Sequence, residues 1–146
     1  MSLTGLEVFD ETLHKTNTWL KEIQELLGSD RHGAYQALRA VLHCLRDRLT
    51  TDEAAQLGDQ FPMLIRGIYY EAWRPAGKPQ KVRPREEFLA WVGARLPATR
   101  LIDREDAARA VFQVLENHVS AGEIQDVVQS LPKEIRALWP NPQAVV

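Results

Sequence analysis

Apolar residues recur at intervals of three and four along most of the chain, the period of helices that bury one face. Leu13, Leu20, Ile23 and Leu27 fall on one such face with Trp19 beside it, behind Thr4-x-x-Glu7, which has the form of a capping box. Gly28 is placed to stop this helix, because glycine takes the left-handed cap conformation cheaply. Asp30 is placed to cap a second helix carrying Ala34, Leu38, Val41, Leu42, Leu45 and Leu49. Thr50-x-x-Glu53 opens a short third helix. Pro62 stands in the first turn of a fourth, whose apolar side is Leu64, Ile65, Ile68 and Tyr69, and Pro75 prevents continuation past Trp73. Three prolines and a glycine between Arg74 and Pro84 exclude a regular element there. Pro84 then leads into a helix with Phe88, Leu89 and Val92. Asp103 caps a further one with Ala107, Val111, Phe112, Leu115 and Val119, followed by Ser120-x-x-Glu123 and by Pro132. No segment has the alternation of a strand.

The pattern repeats. Shifted by 70 positions without a gap, Ala37, Arg39, Ala40, Val41 and Leu45 fall on Ala107, Arg109, Ala110, Val111 and Leu115. Glu53, Pro62, Ile65 and Arg66 fall on Glu123, Pro132, Ile135 and Arg136, and Tyr69 falls on Trp139. An internal duplication of helical units that cannot bury their apolar faces alone predicts units packed on each other. The expected fold is therefore all-α: a compact helical bundle of two tandem, pseudo-symmetric repeats of three to four helices each. It forms one domain, with repeat one at 5–73, a connector at 74–85, repeat two at 86–140 and a frayed tail at 141–146.

Composition changes this picture little. At 146 residues with 45% hydrophobic and 26% charged, the chain is long enough to bury a core without disulfides or a metal. Its one cysteine, Cys44, cannot form an internal disulfide. The N-terminus lacks the basic and apolar regions of a signal peptide, and no apolar run approaches the roughly 20 residues of a membrane span. The expected location is cytoplasmic.

Charge is distributed unevenly. Residues 1–73 carry −4 and residues 86–146 carry −3, whereas 74–85 carry +5 from Arg74, Lys78, Lys81, Arg83 and Arg85. With Tyr70 and Trp73 beside them, these cations are the candidate anion- or partner-binding residues, since cations next to aromatic rings suit phosphates, bases or acidic peptides. The competing reading is a solvated loop whose neighbouring rings belong to the core. Arg66 and Arg136 are candidates for a groove between the repeats. The plainer alternative for the repeated arginines is pairing with Glu53 and Glu123, or covering helix-end carbonyls. His43, Cys44 and Asp47 are close together, but the matching positions hold Gln113, Val114 and Asn117. The expected reading is a partly buried thiol beside a surface histidine, with no metal, no cofactor and no catalytic residue assigned. Gly-rich phosphate loops, His-Glu-x-x-His, Cys-x-x-Cys and Gly-x-Ser-x-Gly are absent from the sequence.

Four runs are distinctive: Ala-Tyr-Gln-Ala-Leu-Arg-Ala-Val-Leu-His-Cys-Leu-Arg-Asp-Arg-Leu-Thr (34–50), Phe-Pro-Met-Leu-Ile-Arg-Gly-Ile-Tyr-Tyr-Glu-Ala-Trp-Arg-Pro (61–75), Ser-Ala-Gly-Glu-Ile-Gln-Asp-Val (120–127) and Leu-Pro-Lys-Glu-Ile-Arg-Ala-Leu-Trp-Pro (131–140). Together they resemble the bacterial family of domain of unknown function 2267, over nearly the whole chain from Leu13 to Pro140. The resemblance implies a small all-helical bacterial protein and no reaction, ligand or site residue. The expected function is a non-enzymatic binding or scaffold module with a protein partner. One alternative is a polyanion binder that takes nucleic acid or an anionic surface through the connector. Another is an enzyme or small-ligand carrier with a site between the repeats. A homo-oligomer sealed by Trp91 or Trp139 is a further arrangement, unless those rings lie in the monomer's core.

Overall fold

The computed structural model describes residues 2–99 and 101–140. It contains α1 (Glu7–Leu27), α2 (Arg31–Arg48), α3 (Thr51–Gly58), α4 (Met63–Tyr70), α5 (Arg85–Arg95), α6 (Arg104–His118), α7 (Ala121–Ser130) and α8 (Lys133–Arg136), and no strand occurs among the described residues. The all-helical bundle expected from periodicity is present; the expected frayed tail lies outside the described residues.

Most ends form where the sequence places them. Gly28 ends α1 at φ 67° and donates its N–H to Gln24 O. Asp30 accepts from Gly33 N, Thr50 from Glu53 N, Asp103 from Asp106 N and Ser120 from Glu123 N, each satisfying an amide that the helix leaves open. Pro62 and Pro132 stand just outside α4 and α8 at φ −56° and −57°, rather than in the first turn. The capping box at Thr4 does not form. Leu6 takes the cap position without a side-chain bond, and Asp10 instead gathers Thr4 N and Thr4 Oγ1, at 3.0 and 2.8 Å. A carboxylate one turn into the helix outcompetes the Glu7 side chain for the same donors.

The core is continuous. α2 and α6 pack on each other, and α1 and α5 each touch both of them. α3 packs on α4 and α7, while α8 lies on α5. Leu38, Val41, Leu42 and Leu45 of α2 meet Val111, Phe112 and Leu115 of α6 in one buried cluster, each such side chain contributing about 1.5–3 kcal/mol. Ala37 and Ala107 are fully buried in the same cluster, where small side chains permit close helix approach. Trp139 lies flat on Phe112 at 4.2 Å and Phe61 meets Tyr69 edge-on at 4.9 Å. Trp139 is thus a core ring, which removes it as a dimer seal; Trp91 is half-buried.

Two apolar faces are narrower than periodicity predicts. The first turns of α1 extend beyond the core, leaving Leu13 exposed, and burial begins at Thr16. In α4 only Ile65 and Tyr69 are buried; Leu64 is exposed and Ile68 half-buried, because an eight-residue helix offers one i, i+4 stripe to its neighbours.

The connector is the larger correction. It contains no helix or strand, as its prolines require, but it is anchored rather than a free solvated loop. Gln80 N donates to Asp47 O at 3.0 Å, Arg48 Nε donates to Val82 O at 2.7 Å, and Val82 is buried. Arg85 is not a connector residue at all: it begins α5.

Candidate functional site

The anchoring folds the start of the connector over the solvent side of α2. There a cavity of about 300 Å³ is lined by Arg39, His43, Arg46 and Asp47 of α2, by Ala72, Arg74 and Lys78 after α4, and by Arg95 at the end of α5. Five cations face one carboxylate.

These cations are not equivalent. Arg46 is 4% exposed, and its guanidinium donates to Asp47 Oδ1 at 3.0 Å, Tyr69 O at 2.8 Å and Glu71 O at 2.7 Å. It ties the end of α4 to α2 and sets a positive charge in the cavity wall. Arg95 reaches Asp47 Oδ2 at 3.6 Å and Cys44 Sγ at 3.4 Å, above the Trp91 ring. Asp47 is thereby shared between two arginines. Arg39 is paired at the rim with Glu71 Oε1, through Nε at 2.9 Å and Nη2 at 2.8 Å. Arg74 and Lys78 have no side-chain hydrogen bond or ion pair among the described residues. The backbone between these groups is bent: Ala72 has φ 59°, a left-handed conformation costing a non-glycine residue about 1–2 kcal/mol.

His43 is buried, not a surface histidine. Its Nε2 lies 2.7 Å from Ile68 O and must donate, since a carbonyl only accepts. Burial lowers its pKa, favouring the neutral ring, with the Ile68 carbonyl opposing. Cys44 is fully buried, and burial pushes its thiol up to about 12. Neither presents a thiolate or an imidazolium to the cavity.

A family model described as Uncharacterized conserved protein (DUF2267) matches residues 16–138. The chain belongs to this family. The DUF2267 match spans every residue of the cavity. No curated protein matches the chain.

The remaining candidates of this DUF2267 protein are dispersed. Of the five connector-region cations, Arg74 and Lys78 reach the cavity, whereas Lys81 and Arg83 are exposed elsewhere on the segment. Arg85 is held by Glu105 at 2.6 Å. Tyr70 and Trp73 stack on each other at 5.3 Å and close the edge of the core, so they offer no open stacking platform beside the cations. Arg66 and Arg136 cover carbonyls locally. Arg66 donates to Gly58 O and Phe61 O, and Arg136 to Leu131 O and Gln129 O, which fixes the turns before α4 and α8 and brings neither arginine to a shared groove. Of the two plainer readings, carbonyl covering is the observed one and pairing with Glu53 and Glu123 is not.

Glu53 and Glu123 instead face each other with Asp126, one carboxylate oxygen of each lying within 4.8 Å of the other two. Three oxygens fall short of the six to eight that calcium takes. The crowding has a different consequence: burial first, then the neighbouring carboxylates, push Glu123 up to about 7. A second cavity, of about 320 Å³, is lined by His14, Lys15, Trp19, Gln60, Phe61 and His118 among others. Its polar groups are engaged: His118 with Glu22 at 2.7 Å, Lys15 with Glu11 at 2.9 Å and Gln60 Oε1 with Ser120 N. The α2–connector cavity differs in holding unpartnered charge of one sign.

No helix among the described residues is long and apolar enough to cross a membrane.

Proposed function

We propose that this protein is a non-enzymatic binding module that takes an anionic group at the α2–connector cavity. The observation that carries the reading is the pair Arg74 and Lys78, which stand without partners over a wall where Arg39, Arg46 and Arg95 outnumber Asp47 and Glu71. Cations gathered around a concavity focus the field and raise the local concentration of anions there. The thiol of Cys44 is buried and held un-ionised, so it supplies no nucleophile, which favours binding over thiol chemistry.

We propose further that the fold is a tandem duplication and that the α2 part of the site belongs to one copy. The paired caps at Thr50 and Ser120, the paired prolines before α4 and α8, and the two carbonyl-covering arginines support the duplication. On this reading repeat one ends at Trp73, the connector spans 74–84 and Arg85 opens repeat two, all within one domain. At the 70-residue offset, His43, Arg46 and Asp47 correspond to Gln113, Glu116 and Asn117. The second half completes its helix without that charge set, so the fold does not demand it.

Titration of ¹⁵N-labelled protein with sodium sulfate tests the reading. Amide shifts concentrated at Ala72, Lys78 and Arg95, diminished in Arg74→Ser/Lys78→Ser, are expected. Shifts centred on Lys81 and Arg83, or unchanged in the double variant, would refute it.

A further inference from the structure

We infer that the cavity's ligand is a compact, multiply charged phosphate compound, and that in the free protein the Glu71 carboxylate holds one of its binding arginines. This rests on the proposed anion site and specifies what enters it.

Size and arrangement set the ligand class. About 300 Å³ is the space of on the order of ten water molecules, enough for a diphosphate or a small phosphate ester. A nucleic-acid strand needs cations in a stripe along its backbone. Here they are gathered: Arg39 and Arg46 from α2, Arg95 from α5, Arg74 and Lys78 from the connector meet at one concavity. Lys81 and Arg83, which would extend a stripe, do not line it, and Arg85 is occupied by Glu105. Guanidinium groups approaching from several directions match tetrahedral phosphate oxygens, each able to accept more than one hydrogen bond. A lone carboxylate would leave most of these donors unused.

Glu71 is the internal occupant. Its carboxylate is exposed, and one oxygen takes both Nε and Nη2 of Arg39, the edge a phosphate would use. Its own backbone carbonyl is held by Arg46, and the next residue is Ala72 at φ 59°, which lines the cavity. The bend therefore delivers an acidic side chain to the mouth of a cationic site. An exposed ion pair of this kind is worth about 0–1 kcal/mol, little enough for an entering di- or trianion to displace it. Its counterpart at the offset is Asn141, so the carboxylate, like Arg46, is not repeated in the second half.

Isothermal titration calorimetry with sodium pyrophosphate at low salt decides this, using wild type, Glu71→Gln, Arg74→Ser/Lys78→Ser and a 20-nucleotide single strand as a second titrant. The expected result is pyrophosphate binding that falls with added salt, is lost in the double variant and tightens about tenfold in Glu71→Gln. Pyrophosphate binding lost in the double variant but equal or weaker in Glu71→Gln overturns the displacement and leaves the anion site standing. The same holds for the ligand class if the oligonucleotide binds more tightly than pyrophosphate. Pyrophosphate binding untouched by the double variant, or no pyrophosphate binding at all, overturns the inference. The former also removes the cavity as the anion site, while the latter leaves the sulfate titration to judge that reading separately.

Discussion

Replacing Glu123 with glutamine should make the protein more stable at pH 8 and nearly unchanged at pH 5. Glu123 of α7 shares its surroundings with Glu53 of α3 and with Asp126, all three carboxylates within 4.8 Å, and its Oε2 is buried without a hydrogen-bond partner. Two unit charges at that separation repel by about 1 kcal/mol in water and about twice that at half the dielectric constant of water. Against this, a carboxylate in the first turn of α7 gains about 0.3–1 kcal/mol from the helix dipole. Repulsion and burial win: the carboxyl is pushed up to about 7, from an ordinary 4.5. Raised in the folded state, it retains a proton that the unfolded chain has lost between those two values. Its contribution to stability is therefore full below about pH 4.5 and declines as pH rises towards 7. Because the side chain still reaches solvent, screening brings the net effect to about 1 kcal/mol. The expected gain at pH 8 is about 3 °C in Tm, read by circular dichroism at 222 nm for both proteins from pH 5 to 8. A Glu123→Gln protein that melts at or below wild type at pH 8, or by a constant difference across the range, would refute the reasoning.

Arg46→Ala should cost about 3–5 kcal/mol, because it leaves buried Asp47 with only Arg95 at 3.6 Å and strands the Tyr69 and Glu71 carbonyls; a loss of under 1 kcal/mol by urea denaturation would contradict this. Gly58→Ala places a Cβ 2.3 Å from Tyr70 Oη and 3.1 Å from Tyr69 Cε2. The Tyr70 hydroxyl is held there by a 3.4 Å contact to Ala55 O and its ring by stacking on Trp73, so displacing it should cost about 1–3 kcal/mol, and the loss should shrink when Tyr70→Ala is added.

What was readable from the chain was local. Gly28, Asp30, Thr50, Asp103 and Ser120 act within four residues of themselves, so sequence spacing alone places them. Thr4 failed on the same scale, because Asp10 competes for the same donors. Arg46 and His43 were not readable. Their acceptors, the carbonyls of Tyr69, Glu71 and Ile68, lie 23 to 25 positions away, and an arginine on an amphipathic helix ordinarily marks its wet side. The connector's charge was visible, but its division into cavity-facing and outward cations depends on Gln80 and Val82 being tied to α2.

One departure from the 70-residue sequence correspondence did carry the information. Where α2 and α6 otherwise correspond, Arg46 and Asp47 are buried, whereas Glu116 is half-buried and Asn117 exposed. Read as a break in the pattern, the His43–Asp47 segment looked unimportant. The energetics argue the reverse. Burying an ion pair costs several kcal/mol of lost hydration per charge, and apolar packing of similar volume often does as well or better. A helix that accepts this cost in one half and avoids it in the other has been shaped there by something besides packing. On the proposed reading an anion at the cavity accounts for that difference: it adds the counter-charge that Arg74 and Lys78 lack, against a wall set by the Arg46–Asp47 pair.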